Sequence, residues 1–294
     1  MINKTILEVL KASQQQLHKS LKTIDGIQTY PMYSIYSKGD PKVLKPMLCV
    51  HLDTINTCSL KVDKELQDSD FITTGGIVRV NPNSSLNCLG GDDRAGVWIA
   101  LQLIKYMEET QDFKYDIGFF LDEEIGCIGS SSFITNTLDY NTSCYIGLDR
   151  RSSLGVHEVA IYGDDNTELI DIFESLDYKL EMGSITDAAT LATQEIACVN
   201  LSVGYDFEHT KQEVLHLECM LYTLKVLQEL QLESKEYPSD YLGSYYNSPS
   251  ASLRYTEDVY EDHEILREFL FSMGYDPDDI IEEHYNVLGG ILNV

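Results

Sequence analysis

Histidine and acidic residues stand where several apolar segments of the sequence end. His51 and Asp53 lie two positions apart in "CVHLDT", Asp92 precedes a helical pattern in "LGGDDRAG", and Glu123 and Glu124 are adjacent in "LDEEIG". Carboxylates that close together repel and raise one another's pKa, so a fold keeps them only in water or beside a cation. Taken alone, this arrangement fits either a solvated surface cluster or a cation site.

Two more candidates are Asp149 in "YIGLD" and His209 in "FEHTKQE". Each has a plainer explanation: Asp149 as a turn acid, and His209 with Thr210 and Glu213 as the capping box of a following helix. Of Asp92 and its neighbour, one can cap a helix while the other points into a site.

Taken together, the candidates combine two imidazoles with three carboxylates, a nitrogen and oxygen set that suits zinc, with cobalt or manganese as substitutes. Five ligands are too many for one tetrahedral ion and suit two divalent ions that share a carboxylate. The five residues are His51, Asp92, Glu124, Asp149 and His209.

Apolar runs of strand length alternate with helical periodicity along the chain. This alternation predicts a three-layer α/β/α sandwich with a mixed, mostly parallel central sheet, and such sheets bind ligands beyond the carboxyl ends of their strands. The predicted strands cover 47–53, 115–124, 143–149, 158–163 and 195–204, and the predicted helices cover 1–23, 95–110, 166–178 and 211–232.

The composition bounds the organisation and the partners. With 294 residues and 43% hydrophobic residues, we expect one main domain at 1–232, followed by an acidic, Tyr-rich linker and short helical extension at 233–294. The net charge of -27 argues against nucleic acid and anionic membranes as partners. We expect neither a signal peptide nor a membrane span in the amino-terminal segment, and the seven scattered cysteines favour a cytoplasmic protein.

The motifs "HLDT", "GGDDRAG", "LDEEIG", "GLD" and "EHT", in this order, resemble the co-catalytic di-metal exopeptidases, which include bacterial aminopeptidases, peptidase T and related carboxypeptidases and deacylases. The resemblance implies that Asp92 bridges the ions. It implies that His51 and Asp149 complete one metal site, and Glu124 and His209 the other. It also makes Glu123 the general base and Asp53 the acid that orients the first imidazole.

Many members of this family carry a lid or dimerisation domain between the first two motifs or the last two. Here the segments 53–92 and 149–209 are needed for the fold's own elements, so we expect no large insertion. The sequence leaves the oligomeric state open.

The direction of cleavage is less constrained. An aminopeptidase must bind an ammonium group, for which Asp187 is a candidate, and a carboxypeptidase must bind a carboxylate, for which Arg150 or Arg151 is a candidate. The acidic charge favours an aminopeptidase acting on short peptides. The alternatives are a carboxypeptidase or N-acyl amino-acid deacylase with the same ions, and a non-catalytic peptide-binding relative. The presence of Glu123 with all five ligands favours catalysis, while the adjacent Asp122 has no assigned role.

Overall fold

The computed structural model describes residues 2–56, 66–135, 140–162, 167–184, 186–192 and 196–238. The strands are β1 (Ile27–Thr29), β2 (Tyr33–Tyr36), β3 (Lys45–His51), β4 (Phe71–Thr74), β5 (Ile77–Val80), β6 (Asp116–Phe120), β7 (Thr142–Arg150), β8 (Glu158–Ile161), β9 (Lys179–Met182), β10 (Cys198–Ser202), β11 (Tyr205–Asp206) and β12 (Val214–His216). The helices are α1 (Ile6–Leu10), α2 (Gln14–Leu21), α3 (Gly91–Thr110), α4 (Ile128–Thr135), α5 (Thr167–Glu174), α6 (Asp187–Ala192) and α7 (Leu217–Glu229).

The central sheet has eight strands in the order β1-β2-β6-β3-β7-β10-β8-β9. The neighbours β6 and β3, β3 and β7, β7 and β10, and β8 and β9 are parallel, and the remaining pairs are antiparallel. This confirms the predicted mixed, mostly parallel sheet. The described residues contain no large inserted domain, as predicted.

Strand β3 is buried on both faces, which explains its uninterrupted apolar sequence. Successive side chains of a strand point to opposite faces. Leu48 and Val50 therefore join the apolar cluster formed with α3, whereas Met47 and Cys49 join a second cluster on the opposite face, against α4 and α6. Helices thus cover both faces of the sheet, as a three-layer sandwich requires.

A second, four-stranded antiparallel sheet has the order β11-β12-β5-β4, and the sequence analysis missed it. The helix predicted to begin at Lys211 was wrong there, because α7 begins only at Leu217. Val214, Leu215 and His216 pair instead with β5, so backbone pairing with a distant strand overrides their helical periodicity.

The structure can also be compared with the predictions for the two ends of the chain. The first 23 residues do not form one helix, because Thr5 and Ser13 each begin a separate helix with its own capping box. Beyond residue 232, the buried Tyr237 accepts a hydrogen bond from Ala197 N and donates its N–H to Ser143 O. Residues 239–294, and with them most of the predicted extension, lie outside the described residues.

Within the described part of the chain, no helix combines the length and the apolar character needed to cross a membrane. The six cysteines there are all buried and none forms a disulfide.

Candidate active site

The register of the parallel strands brings three predicted site residues to one edge of the central sheet. Cys49 is opposite Gly147, so His51 at the end of β3 is level with Asp149 near the end of β7. His51 is also opposite Phe120, the last residue of β6, and the loop that follows carries Glu123 and Glu124. These residues therefore meet beyond the carboxyl ends of adjacent strands.

Asp92 lies between the two imidazoles. Its Oδ1 is 2.9 Å from His51 Nε2 and its Oδ2 is 3.2 Å from His209 Nε2. Each imidazole faces a second carboxylate: His51 Nε2 is 3.5 Å from Asp149 Oδ1, and His209 Nε2 is 2.9 Å from Glu124 Oε2. All five predicted metal ligands thus lie together, in two histidine-centred halves joined by one carboxylate.

Asp93 also lies close to His51 and Asp149, with ligand atoms within 4.8 Å of one another. Its oxygens are already engaged, however, because Oδ2 accepts the N–H of His51 and Oδ1 the N–H of Gly96. Helical backbone angles begin only after Asp93, and the peptide bond joining it to Asp92 is cis. Asp93 therefore caps the helix while Asp92 points into the site.

Gly96 shows how closely this helix approaches the sheet. A Cβ atom at this position would collide with the Leu148 carbonyl oxygen and with the Asp93 carboxylate. Only glycine therefore lets the start of α3 approach the end of β7 closely enough to bring Asp92 to the strand ends.

Asp53 connects the first imidazole to the acidic loop. It is fully buried, and its Oδ1 lies 3.3 Å from His51 Nδ1, a contact outside good hydrogen-bond geometry that is chiefly electrostatic. Its two oxygens accept the backbone N–H groups of Glu123 at 3.0 Å and Glu124 at 3.1 Å. One carboxylate thus lies against the ring and also accepts the backbone N–H groups of both glutamates.

The two glutamates point in different directions. Glu123 Oε2 is 4.0 Å from His51 Nε2, and Cys127 Sγ lies 3.8 Å from Glu123 Oε1 as a weak donor. Glu124 instead faces His209. Burial raises the pKa of Glu124 and raises that of Glu123 well above its usual value. Burial therefore favours the neutral form of Glu123.

The charges of the site are strongly coupled. Burial opposes protonation of His51, but nearby carboxylates, chiefly Asp149, raise its pKa well above the usual value. Burial likewise opposes protonation of His209, yet its carboxylate partners raise the pKa to about 11. Burial also raises the pKa of Asp149 to about 7. The cluster therefore has a strong affinity for positive charge.

The donor set fits divalent cations. Glu124 Oε1 is buried and has no hydrogen-bond partner among the described residues, although a buried carboxylate oxygen normally has one. Imidazole nitrogens and carboxylate oxygens are the donors that zinc accepts, and the bound ion would offset the excess of acids.

Three residues that support the ligands were missed by the sequence analysis. The hydroxyl of Tyr205 donates to Asp149 Oδ1 at 3.0 Å, and Asn200 hydrogen bonds both the N–H and the carbonyl of Asp149. The buried Glu213 accepts the N–H groups of Gly90 and Asp92. The sequence offered one signal, the acid at Glu213, but the capping box proposed for it does not form.

Asp122, which had no assigned role, anchors the acidic loop. Its Oδ1 accepts a hydrogen bond from Gln14 Nε2 at 2.8 Å, and its own N–H donates to Gln14 Oε1 at 3.0 Å. Its φ of 57° lies in the left-handed region, where these two bonds help to hold it.

The candidate substrate-binding residues differ in whether a charged side chain already pairs with them. Arg150 Nε is 2.9 Å from Glu158 Oε2, in a largely buried ion pair, and the half-exposed Arg151 pairs with Glu208. Asp187 is buried and accepts a hydrogen bond from Ser130 Oγ. The arginines are therefore engaged by acids, whereas Asp187 has a neutral partner.

Comparisons with known proteins agree with this geometry. A model of peptidase family M28 matches residues 36–214, more than half of the chain. A search of curated proteins gave no match.

Among solved structures, aminopeptidase PepT from Bacillus cereus ATCC 10987 is similar with a TM-score of 0.58 at 12% identity, over 76% of this chain and 95% of PepT. A Staphylococcus aureus tripeptidase gives 0.59 at 14% identity, over 78% and 96% of the two chains. The TET1 peptidase of Pyrococcus horikoshii, which can assemble into a tetrahedron or a large octahedral shell, gives 0.57 at 14% identity, over 77% and 100%. At these identities the likeness concerns the fold alone.

Proposed function

The chain belongs to peptidase family M28, and we propose that it is a di-metal aminopeptidase that removes the first residue of short peptides. The observation that carries the proposal is the position of Asp92, whose two oxygens face the imidazoles of His51 and His209. A carboxylate in this position is suited to bridge two ions.

The two ions, with zinc as the expected metal, would be held in the two halves of the site. His51 and Asp149 would hold one ion and Glu124 and His209 the other, with Asp92 shared between them. When bound, such ions polarise the scissile carbonyl group and lower the pKa of water.

Glu123 would move the proton. Among the described residues, its nearest ion-pair partner is His51 at 4.0 Å, and its raised pKa suits a carboxylate that accepts a proton from the attacking water. The same carboxyl group then gives that proton to the departing amine nitrogen. Asp53 holds the backbone of Glu123 in place during both transfers.

The engaged arginines favour an aminopeptidase. A carboxypeptidase or deacylase needs a cation for the substrate carboxylate. Arg150 is already paired with the buried Glu158, and freeing it would leave that acid without its partner. A non-catalytic peptide-binding role is disfavoured because such a protein needs neither Glu123 nor the complete ligand set.

Metal analysis and peptide hydrolysis test the proposal directly. We expect the purified chain to bind close to two zinc, cobalt or manganese ions and to cleave Leu-Gly-Gly. A chelator should abolish cleavage, and adding back one of these metals should restore it. A peptide blocked at the amino terminus should be cleaved far more slowly. Chelator-resistant hydrolysis, or no hydrolysis with any metal, would exclude this function.

A further inference from the structure

A buried carboxylate that the proposed mechanism does not use lies near the general base. Asp187 begins α6 and is only 4% exposed. Ser130 Oγ donates to its Oδ1 at 2.5 Å, whereas Oδ2 has no hydrogen-bond partner among the described residues. Burying a carboxylate oxygen without a partner is costly, so this atom lacks a donor that a ligand could provide.

Asp187 belongs to the His51 half of the site. Helix α6 packs on β3 and β7, the strands that carry His51 and Asp149. The charges of His51, Asp53 and Asp149 act on the Asp187 carboxyl group, and Asp187 in turn contributes to the raised pKa of Glu123. The Asp187 carboxyl group therefore lies within electrostatic range of the first imidazole and of the general base.

No lysine or arginine in the described parts of the chain forms an ion pair with Asp187, although Arg150 and Arg151 follow Asp149 directly. A cationic group of a ligand can thus form an ion pair with this carboxylate. Ser130 leaves it with a single neutral donor, so its charge is not already compensated.

We propose that Asp187 binds the α-ammonium group of the substrate's first residue and so selects peptides with a free amino terminus. This inference rests on the proposed aminopeptidase function. The α-nitrogen is about 2.5 Å from the carbonyl carbon of its own residue, so it must bind close to the base that serves that carbonyl. An ammonium group offers three donors and a full positive charge.

The test compares Leu-Gly-Gly with its des-amino analogue 4-methylpentanoyl-Gly-Gly, which lacks only the ammonium group. In Asp187→Asn, kcat/KM for Leu-Gly-Gly should fall about 10- to 100-fold, mostly through a higher KM, because one charge-assisted hydrogen bond is lost. The value for the analogue should not change. Asp171→Asn, at an exposed position of α5, is the matched control and should alter neither substrate.

An equal loss for both substrates would overturn the inference, since it would mean that Asp187 acts on the base or on the fold. An unchanged preference for Leu-Gly-Gly would overturn it as well. If Asp187→Asn does not fold, Asp187→Ser provides a second neutral side chain with the same expected outcome. If the wild-type protein is inactive, both the proposed function and this inference are overturned. If the wild-type protein is active and Asp187→Asn keeps its preference for Leu-Gly-Gly over the analogue, only this inference is overturned.

Discussion

The two imidazoles of the site are held in opposite ways. His51 ends a central strand, is 1% exposed, and has its backbone N–H bonded to the Asp93 carboxylate. His209 lies in a turn between β11 and β12, with a left-handed φ of 61° and a side chain that is 42% exposed. The first is part of the sheet, whereas the second is held mainly by its contacts with Asp92 and Glu124.

One imidazole is therefore preorganised by the fold, whereas the order of the other depends on a bound ligand. The sheet and its hydrogen bonds determine where His51 lies, whether or not an ion binds. The position of His209 depends far more on the charges it faces, so an ion should contribute more to ordering that half. Four predictions address this contrast.

The largest effect is expected from a comparison of the two adjacent glutamates, one proposed to transfer protons and the other to bind metal. Glu123→Gln should lower kcat by about 10²- to 10⁴-fold, because the base is lost, while both metals remain bound. Glu124→Gln, the same substitution at the adjacent position, serves as the control. It should instead weaken binding of the ion in the His209 half. Steady-state kinetics and metal analysis measure the two effects, and near-normal turnover in Glu123→Gln would contradict the assignment.

The stability of the two halves should differ as well. His51→Asn should lower the free energy of unfolding by about 3 kcal/mol, because it leaves buried acids without their cationic partner. His209→Asn should cost less, because this side chain is 42% exposed and water screens part of its attraction to Asp92 and Glu124. Urea unfolding in the presence of a chelator gives both values, and equal losses would remove the proposed distinction.

Asp53 tests whether the carboxylate behind His51 matters for the metal. Asp53→Asn should weaken metal binding about 10- to 100-fold, as expected for loss of the acid that orients a ligating imidazole. Titration against a chromophoric chelator measures this affinity. Glu208→Gln, close in sequence to His209 but not among the ligands, serves as the control; a similar loss there would show that general charge rather than orientation is responsible.

The smallest effect is expected at the surface pair beside the His209 half. Arg151→Gln removes an exposed partner of Glu208 and should change the free energy of unfolding by less than about 1 kcal/mol. The equivalent change at Arg150 should cost more, because it strands the buried Glu158. Thermal unfolding distinguishes them, and a larger loss at Arg151 would reverse the expected order.

Much of the central sheet and the grouping of the ligands follow from local sequence. Strand β3 is a continuous apolar run because both of its faces are buried, and such a run is recognisable without a structure. His51 and Asp149 end neighbouring strands, so the rule that sites form at carboxyl strand ends was sufficient to bring them together.

Other features depend on partners far away in the chain, and local patterns contain no signal for them. Val214 and Leu215 fit a helix by periodicity, yet they form a strand because their backbone pairs with β5. Glu213 reaches Asp92 across 121 residues, and Gln14 reaches Asp122 across 108. Helix α7 therefore begins later than predicted, and the role of Asp122 emerged only from the fold.

The sequence by itself determined the types and order of the site residues and the strands that carry them, because side-chain chemistry and hydrophobic periodicity are local properties. Only the tertiary structure decided what each acid contacts. It assigned Asp93 to the helix cap and Asp53 to the backbone of both glutamates, and it left one Asp187 oxygen without a hydrogen-bond partner among the described residues. Hydrogen bonds depend on distance and angle between groups that only folding brings together, so these roles could not be assigned from the sequence.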